Sequence, residues 1–87
     1  MDNLLIYLKP KKVAQDVDKA WNQLFDGGNE TFVDDHDVLD DLLHKLDGLP
    51  EATKRMIIFV SHDNKVFNLD MMKRFRFERG FSVIKKQ

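Results

Sequence analysis

The chain has no cysteine, only two prolines and only four glycines in 87 residues. Without cysteine there is no disulfide framework, no thiolate nucleophile and no cysteine-ligated zinc, so a small hydrophobic core must hold the fold unaided. The few glycines form no phosphate-cradling loop. Long apolar runs are missing too. Leu4–Leu8 and Met56–Val60 hold five apolar residues each, against the roughly 20 needed to cross a bilayer. No basic-then-apolar leader precedes a small-residue cleavage site, so the expected address is cytoplasmic, with no membrane partner. Apolar residues make up 43% and charged residues 33%, the balance of a soluble globule. The length leaves room for a single domain over 1–87.

What is present is charge, and it is segregated. Residues 1–25 carry four bases and three acids, residues 26–53 one base and nine acids, and residues 54–87 nine bases and three acids. The formal net charge of −1 therefore hides an acidic middle and a basic end. In the folded molecule these either neutralise each other or form two faces that steer charged partners.

Leu4–Leu8, closed by Lys9-Pro10, reads as a buried strand, because proline cannot donate to a sheet ladder. From Val13 the apolar residues Val13, Val17, Ala20, Trp21 and Leu24 line one side of a helix, which Asp26-Gly27-Gly28-Asn29 stops. A second helix is predicted over 35–47. Asp34 is the expected N-cap, accepting from the Asp37 N–H, with Val33 and Val38 as a hydrophobic staple. Its core stripe is Val38, Leu39, Leu42, Leu43 and Leu46. Gly48 is expected to end it in the left-handed conformation, with Leu49 folding back and Pro50 forbidding continuation. Met56–Val60 shows no polar alternation and suits a strand covered on both faces, which favours a parallel sheet. After a turn-rich loop, Ser61–Lys65, Asn68 caps a third helix with Leu69, Met72 and Phe75 inward, and Phe81–Ile84 forms a last strand. A rival reading comes from the odd-numbered Phe75, Phe77, Phe81 and Val83, which suit an antiparallel hairpin turning near Arg79-Gly80. The helix is preferred because Arg-Gly is not a usual hairpin turn.

The expected fold class is therefore α/β: a three-stranded, mainly parallel sheet in the order β-α-α-β-α-β, joined by right-handed crossovers. The alternative is α+β with a C-terminal antiparallel hairpin. That element order, in a chain of this size, resembles the barstar family of ribonuclease inhibitors, which bind their target through an acidic helical face. The resemblance covers order and size alone. The second helix here holds no aromatic, and no residue is carried over from that family.

The first candidate site is acidic: Asp34, Asp35, Asp37, Asp40 and Asp41, with His44 and with Glu30 upstream. On a helix, residues 37 and 41 are four apart, as are 40 and 44, so they share the surface opposite the leucine stripe. Asp34, Asp35 and Asp37 complement the helix dipole. Asp40 and Asp41 lie beyond the first turn and beside like charges, which helix stability alone does not explain. The spacing lacks the glycine and spaced oxygens of a calcium loop, and His44 with Asp40 does not close a zinc site, so no metal and no cofactor are expected.

Two further groups stand beside it. Lys9–Lys12 and Ser61–Lys65 follow strand ends on one sheet edge, where open α/β sheets usually bind and where lysines also simply keep an edge soluble. Ser61-His62-Asp63 carries the letters of a hydrolytic triad, but consecutive residues point in alternating directions and cannot form the relay, so no catalytic residue is assigned. Lys73, Arg74, Arg76, Phe77, Arg79, Lys85 and Lys86 interleave bases with aromatics, as single-stranded nucleic acid binding requires. Two functions follow as expectations. The first is a non-enzymatic protein-binding module, of inhibitor, immunity or adaptor type, whose acidic helical face meets a basic protein surface. The alternative is nucleic-acid binding through the basic and aromatic C-terminal segment.

Overall fold

Every other strand is arranged around β1 (Leu4–Leu8), whose Leu4, Ile6 and Leu8 are buried and whose Leu5 and Tyr7 are half-buried. A computed structural model describes residues 3–8 and 16–79, the last five of these by their backbone alone. β1 pairs in parallel with β2 (Glu30–Phe32) on one side and with β3 (Ile57–Ser61) on the other, and β4 (Val66–Asn68) pairs antiparallel with β3. The sheet order is β2-β1-β3-β4. The helices are α1 (Val17–Phe25), α2 (His36–Asp47), the one-turn α3 (Glu51–Lys54) and α4 (Leu69–Arg79). The result, among the described residues, is a small mixed α/β domain with four strands instead of three. Its order, β-α-β-α-α-β-β-α, also departs from the one that suggested an inhibitor family.

Both unforeseen strands are three residues long, too short to display a period of two. β2 is specified by its side chains: the buried Thr31 hydroxyl donates to Gln23 Oε1 on α1, and Phe32 stacks on Tyr7 with ring centroids 5.1 Å apart. β4 is formed by a hairpin located at residues 61–65. There the Ser61 N–H donates to the Lys65 carbonyl and the Asn64 N–H to the Ser61 carbonyl, both at 2.9 Å. Asn64 closes the turn at φ 66°, a left-handed conformation that asparagine tolerates. The rival antiparallel hairpin near Arg79-Gly80 loses its first strand, because α4 remains helical through Arg79; its second strand lies outside the described residues. As predicted, Asn68 caps this helix, its Oδ1 accepting from the Met71 N–H at 2.8 Å. The expected strand Phe81–Ile84 and the helix start at Val13 lie outside the described residues.

α2 ends at Asp47 as predicted, but its N-cap and the conformation of its stop differ from the prediction. The cap is Asp35, not Asp34: its carboxylate accepts from the N–H groups of Asp37 (2.8 Å) and Val38 (3.3 Å). Val33 explains the shift. Its N–H donates to the Tyr7 carbonyl at 2.8 Å, extending the β1–β2 ladder, so the chain needs both Asp34 and Asp35 before it can turn into helix. Val33 is thus a buried sheet-edge residue, one position before the N′ site that Asp35 as cap defines. At the other end Gly48 stays right-handed, φ −83° and ψ −2°. The Gly48 and Leu49 amides donate to the carbonyls of Lys45 (3.2 Å) and Leu46 (3.1 Å), a tightened last turn. Pro50 then stands at the N-cap of α3, so the left-handed stop is unnecessary.

One core joins the layers. Leu39, Leu42, Leu43 and Leu46 of α2 pack with Ala20 and Leu24 of α1, Leu69 and Met72 of α4, and Ile6, Ile57 and Phe59 of the sheet, while Val38 is only half-buried. The first crossover, through α1, leads from β1 outward to β2, and the second, through α2 and α3, returns past β1 to β3. On β3, Ile57, Phe59 and Ser61 are buried while Ile58 and Val60 are half-buried, so this strand is not covered equally on its two faces. No helix among the described residues is long and apolar enough to cross a membrane.

Candidate functional site

Because β1, β2 and β3 run parallel, the segment leading into α2 and the turn after β3 both lie at the carboxyl edge of the sheet. Lys9–Lys12, the other segment assigned to this edge, falls outside the described residues. From that edge α2 runs back across the sheet, leucines inward. Asp34, Asp35, Asp37, Asp41 and His44 are exposed, whereas Asp40 is half-buried. The six predicted residues are therefore not equivalent. Asp35 is engaged as the helix cap and Asp40 turns partly into the protein. Asp34, Asp37 and Asp41 form the outward acidic surface. The carboxylate of Asp37 lies 3.5 Å from His36 Nε2. Among the described residues, no lysine or arginine lies within ion-pair distance of Asp34, Asp37 or Asp41.

Some acids elsewhere are paired. At the far end of α2, Asp47 Oδ1 accepts from Lys73 at 2.7 Å and from Lys54 at 3.5 Å, and Lys54 also reaches Glu51 at 3.4 Å. The hydrogen bond from Lys73 holds the Asp47 carboxyl below the usual carboxylate range, and the same bond raises the Lys73 ammonium. Asp63 is lowered first by the Ser61 hydroxyl that donates to it, then by Lys65, 3.8 Å away. Internal neutralisation thus removes charge from one end of α2 and leaves it at the other.

No protein-family model, curated protein or solved structure matches this chain. The side chains alone therefore limit the chemistry. Asp35, His36 and Asp37 each offer one possible ligand atom within 4.8 Å of the others, but all three are exposed and the Asp35 carboxylate already serves as the cap. The Ser61 hydroxyl donates to Asp63 and accepts from the Lys65 N–H. It braces the turn, and His62 is exposed, so the three residues form no relay. A cleft of about 340 Å³ between α3 and α4 is lined by Glu51, Lys54, Arg55, Asn68, Leu69, Asp70 and Lys73, a mixture of signs with little preference for either kind of ion. In the basic group, Lys73 is committed to Asp47 and Arg74 is exposed on α4. The side chains of Arg76, Phe77 and Arg79, and residues Lys85 and Lys86, lie outside the described set.

One arrangement escaped the sequence reading. Lys45, the single lysine or arginine of the acidic stretch 26–53, places its ammonium 4.6 Å from the centroid of the Trp21 ring and 3.9 Å from Asp18 Oδ1. Trp21 in turn packs on Phe25 with centroids 4.5 Å apart. The spacing 18, 21, 25 on one helix was a visible signal. That Lys45 would be its partner was not, because the pairing depends on how α1 packs against α2.

Proposed function

We propose that the protein is a non-enzymatic binding module, of inhibitor, immunity or adaptor type, that docks a basic protein surface on the acidic face of α2. The observation that carries this reading is the exposed trio Asp34, Asp37 and Asp41, which has no lysine or arginine partner among the described residues. Carboxylates kept in water and aligned along a helix supply charge complementarity, which raises association rates and rejects partners of the wrong sign more than it adds raw affinity. The leucine stripe beneath fixes their spacing.

The test is a triple substitution, Asp34→Asn, Asp37→Asn and Asp41→Asn, in a pull-down from the native host at low and high salt, with protein and nucleic-acid staining. The expected result is a basic protein retained by the wild type at low salt, released at high salt, and lost with the variant. Equal retention by a variant whose unfolding midpoint is unchanged would remove these residues from the mechanism. Retention of nucleic acid alone would transfer the function to the basic C-terminal segment.

A further inference from the structure

The Lys45 contact shows what the neighbouring surface accepts. An indole face with a carboxylate beside it attracts an ammonium or guanidinium through the ring quadrupole and the opposite charge together. Here the ring is Trp21, walled on one side by Phe25, and the carboxylate is Asp18. Lys45 is held loosely: its side chain is 41% exposed and its carboxylate partner 83% exposed. It stands one helical turn from Asp41, so the ring borders the acidic face.

We infer that the Trp21 ring, with Phe25 and Asp18, is a seat for a cationic side chain of the basic partner, and that Lys45 fills this seat in the free protein. This inference rests on the acidic-face reading and names its anchor: an aromatic surface that an incoming arginine or lysine takes by displacing Lys45, while Asp34, Asp37 and Asp41 attract the rest of the partner. Tryptophan is the aromatic most favoured for such contacts and among the residues enriched at binding hot spots. An intramolecular occupant keeps the ring covered until a partner with several charges arrives. The seat is selective for that reason, since a single free cation does not compete with a tethered one.

The probe is a hexa-arginine peptide at low ionic strength, read through the emission of Trp21, the only tryptophan in the chain. Lys45→Ala empties the seat, but it also removes one positive charge from the surface. Lys19→Ala is the control, because Lys19 is exposed on the same helix as Trp21 and makes the same change of charge away from the ring. The expected result is that Lys45→Ala binds about two- to five-fold tighter than Lys19→Ala, with a saturable change in Trp21 emission at the same midpoint. Adding Trp21→Leu to Lys45→Ala abolishes the gain. If that double variant does not fold, the emission change in Lys45→Ala decides alone. Equal affinity of the two lysine variants, or binding without an emission response, overturns the seat. The Asp34, Asp37 and Asp41 triple variant separates the two ideas. Unchanged hexa-arginine affinity there counts against the acidic face, whereas a loss there without a Lys45 effect beyond Lys19 counts against the seat alone.

Discussion

The two ends of α2 carry the same kind of side chain and use it differently. Ahead of the helix and along its first half Asp34, Asp37 and Asp41 stand in water with no lysine or arginine partner among the described residues, whereas at its end Asp47 holds two lysines, one from α3 and one from α4. The difference shows that net charge along a sequence is a poor guide to charge on a surface. Tertiary packing decides which carboxylates are spent inside the molecule. The spent one ties three helices together, and the unspent ones remain available to another molecule.

Substitutions can separate these roles. The largest effect is expected from Leu42→Ala, which removes a fully buried side chain from the stripe that supports both ends; it should cost about 2–5 kcal/mol in chemical denaturation. Asp35→Ala comes next. It deprives the Asp37 and Val38 amides of their acceptor and should cost about 1 kcal/mol, fraying the acidic end while leaving the far end in place.

Asp47→Asn should lower the unfolding midpoint by less than the cap variant does, because exposed pairs are screened by water and salt. Its signature is pH dependence. The Asp47 carboxyl is lowered in the folded state, so its contribution is present above the unfolded carboxylate value, about 4, and is lost as pH falls through the folded one. Lys73 is raised, so its contribution is present below about 10.4 and is lost as pH rises through its folded value. The gap between wild type and Asp47→Asn should therefore be widest near neutrality and close at both extremes in thermal melts. A gap that stays constant from pH 2 to pH 7 would contradict a hydrogen-bonded Asp47–Lys73 pair. Smallest of all, Asp41→Asn should leave the midpoint unchanged or slightly higher, since it relieves like-charge repulsion along the helix, whereas Asp37→Asn also gives up a first-turn carboxylate that complements the helix dipole and should lower it slightly. A marked loss of stability would mean that these carboxylates support the fold and are not surplus to it.

Long, strongly periodic segments were legible from the residues alone. β1, the leucine stripe of α2, the Asn68 cap and the helical character of residues 69–79 all follow from apolar spacing and capping chemistry. β2 and β4 were not, because three-residue strands take their identity from neighbours: Thr31 from Gln23, Phe32 from Tyr7, and Val66–Asn68 from a turn closed by Asn64. The one-residue error at the α2 cap has the same origin, since two adjacent aspartates are equally good caps until Val33 is claimed by β1. Of the site, the outward acids were readable from helical spacing, while the half-burial of Asp40 and the embrace of Trp21 by Lys45 depend on interhelical packing that no local window contains.

The central position of β1 has a consequence for synthesis. Ile6 meets Thr31 on one side and Phe59 on the other, so β1, which precedes both of its partner strands, cannot complete its hydrogen bonding until β3 has been made. Distant pairings of this kind slow folding and leave an unpaired strand with apolar side chains waiting for its neighbour. The nascent protein should therefore acquire protease resistance only after Ser61 has cleared the exit tunnel, in one late step.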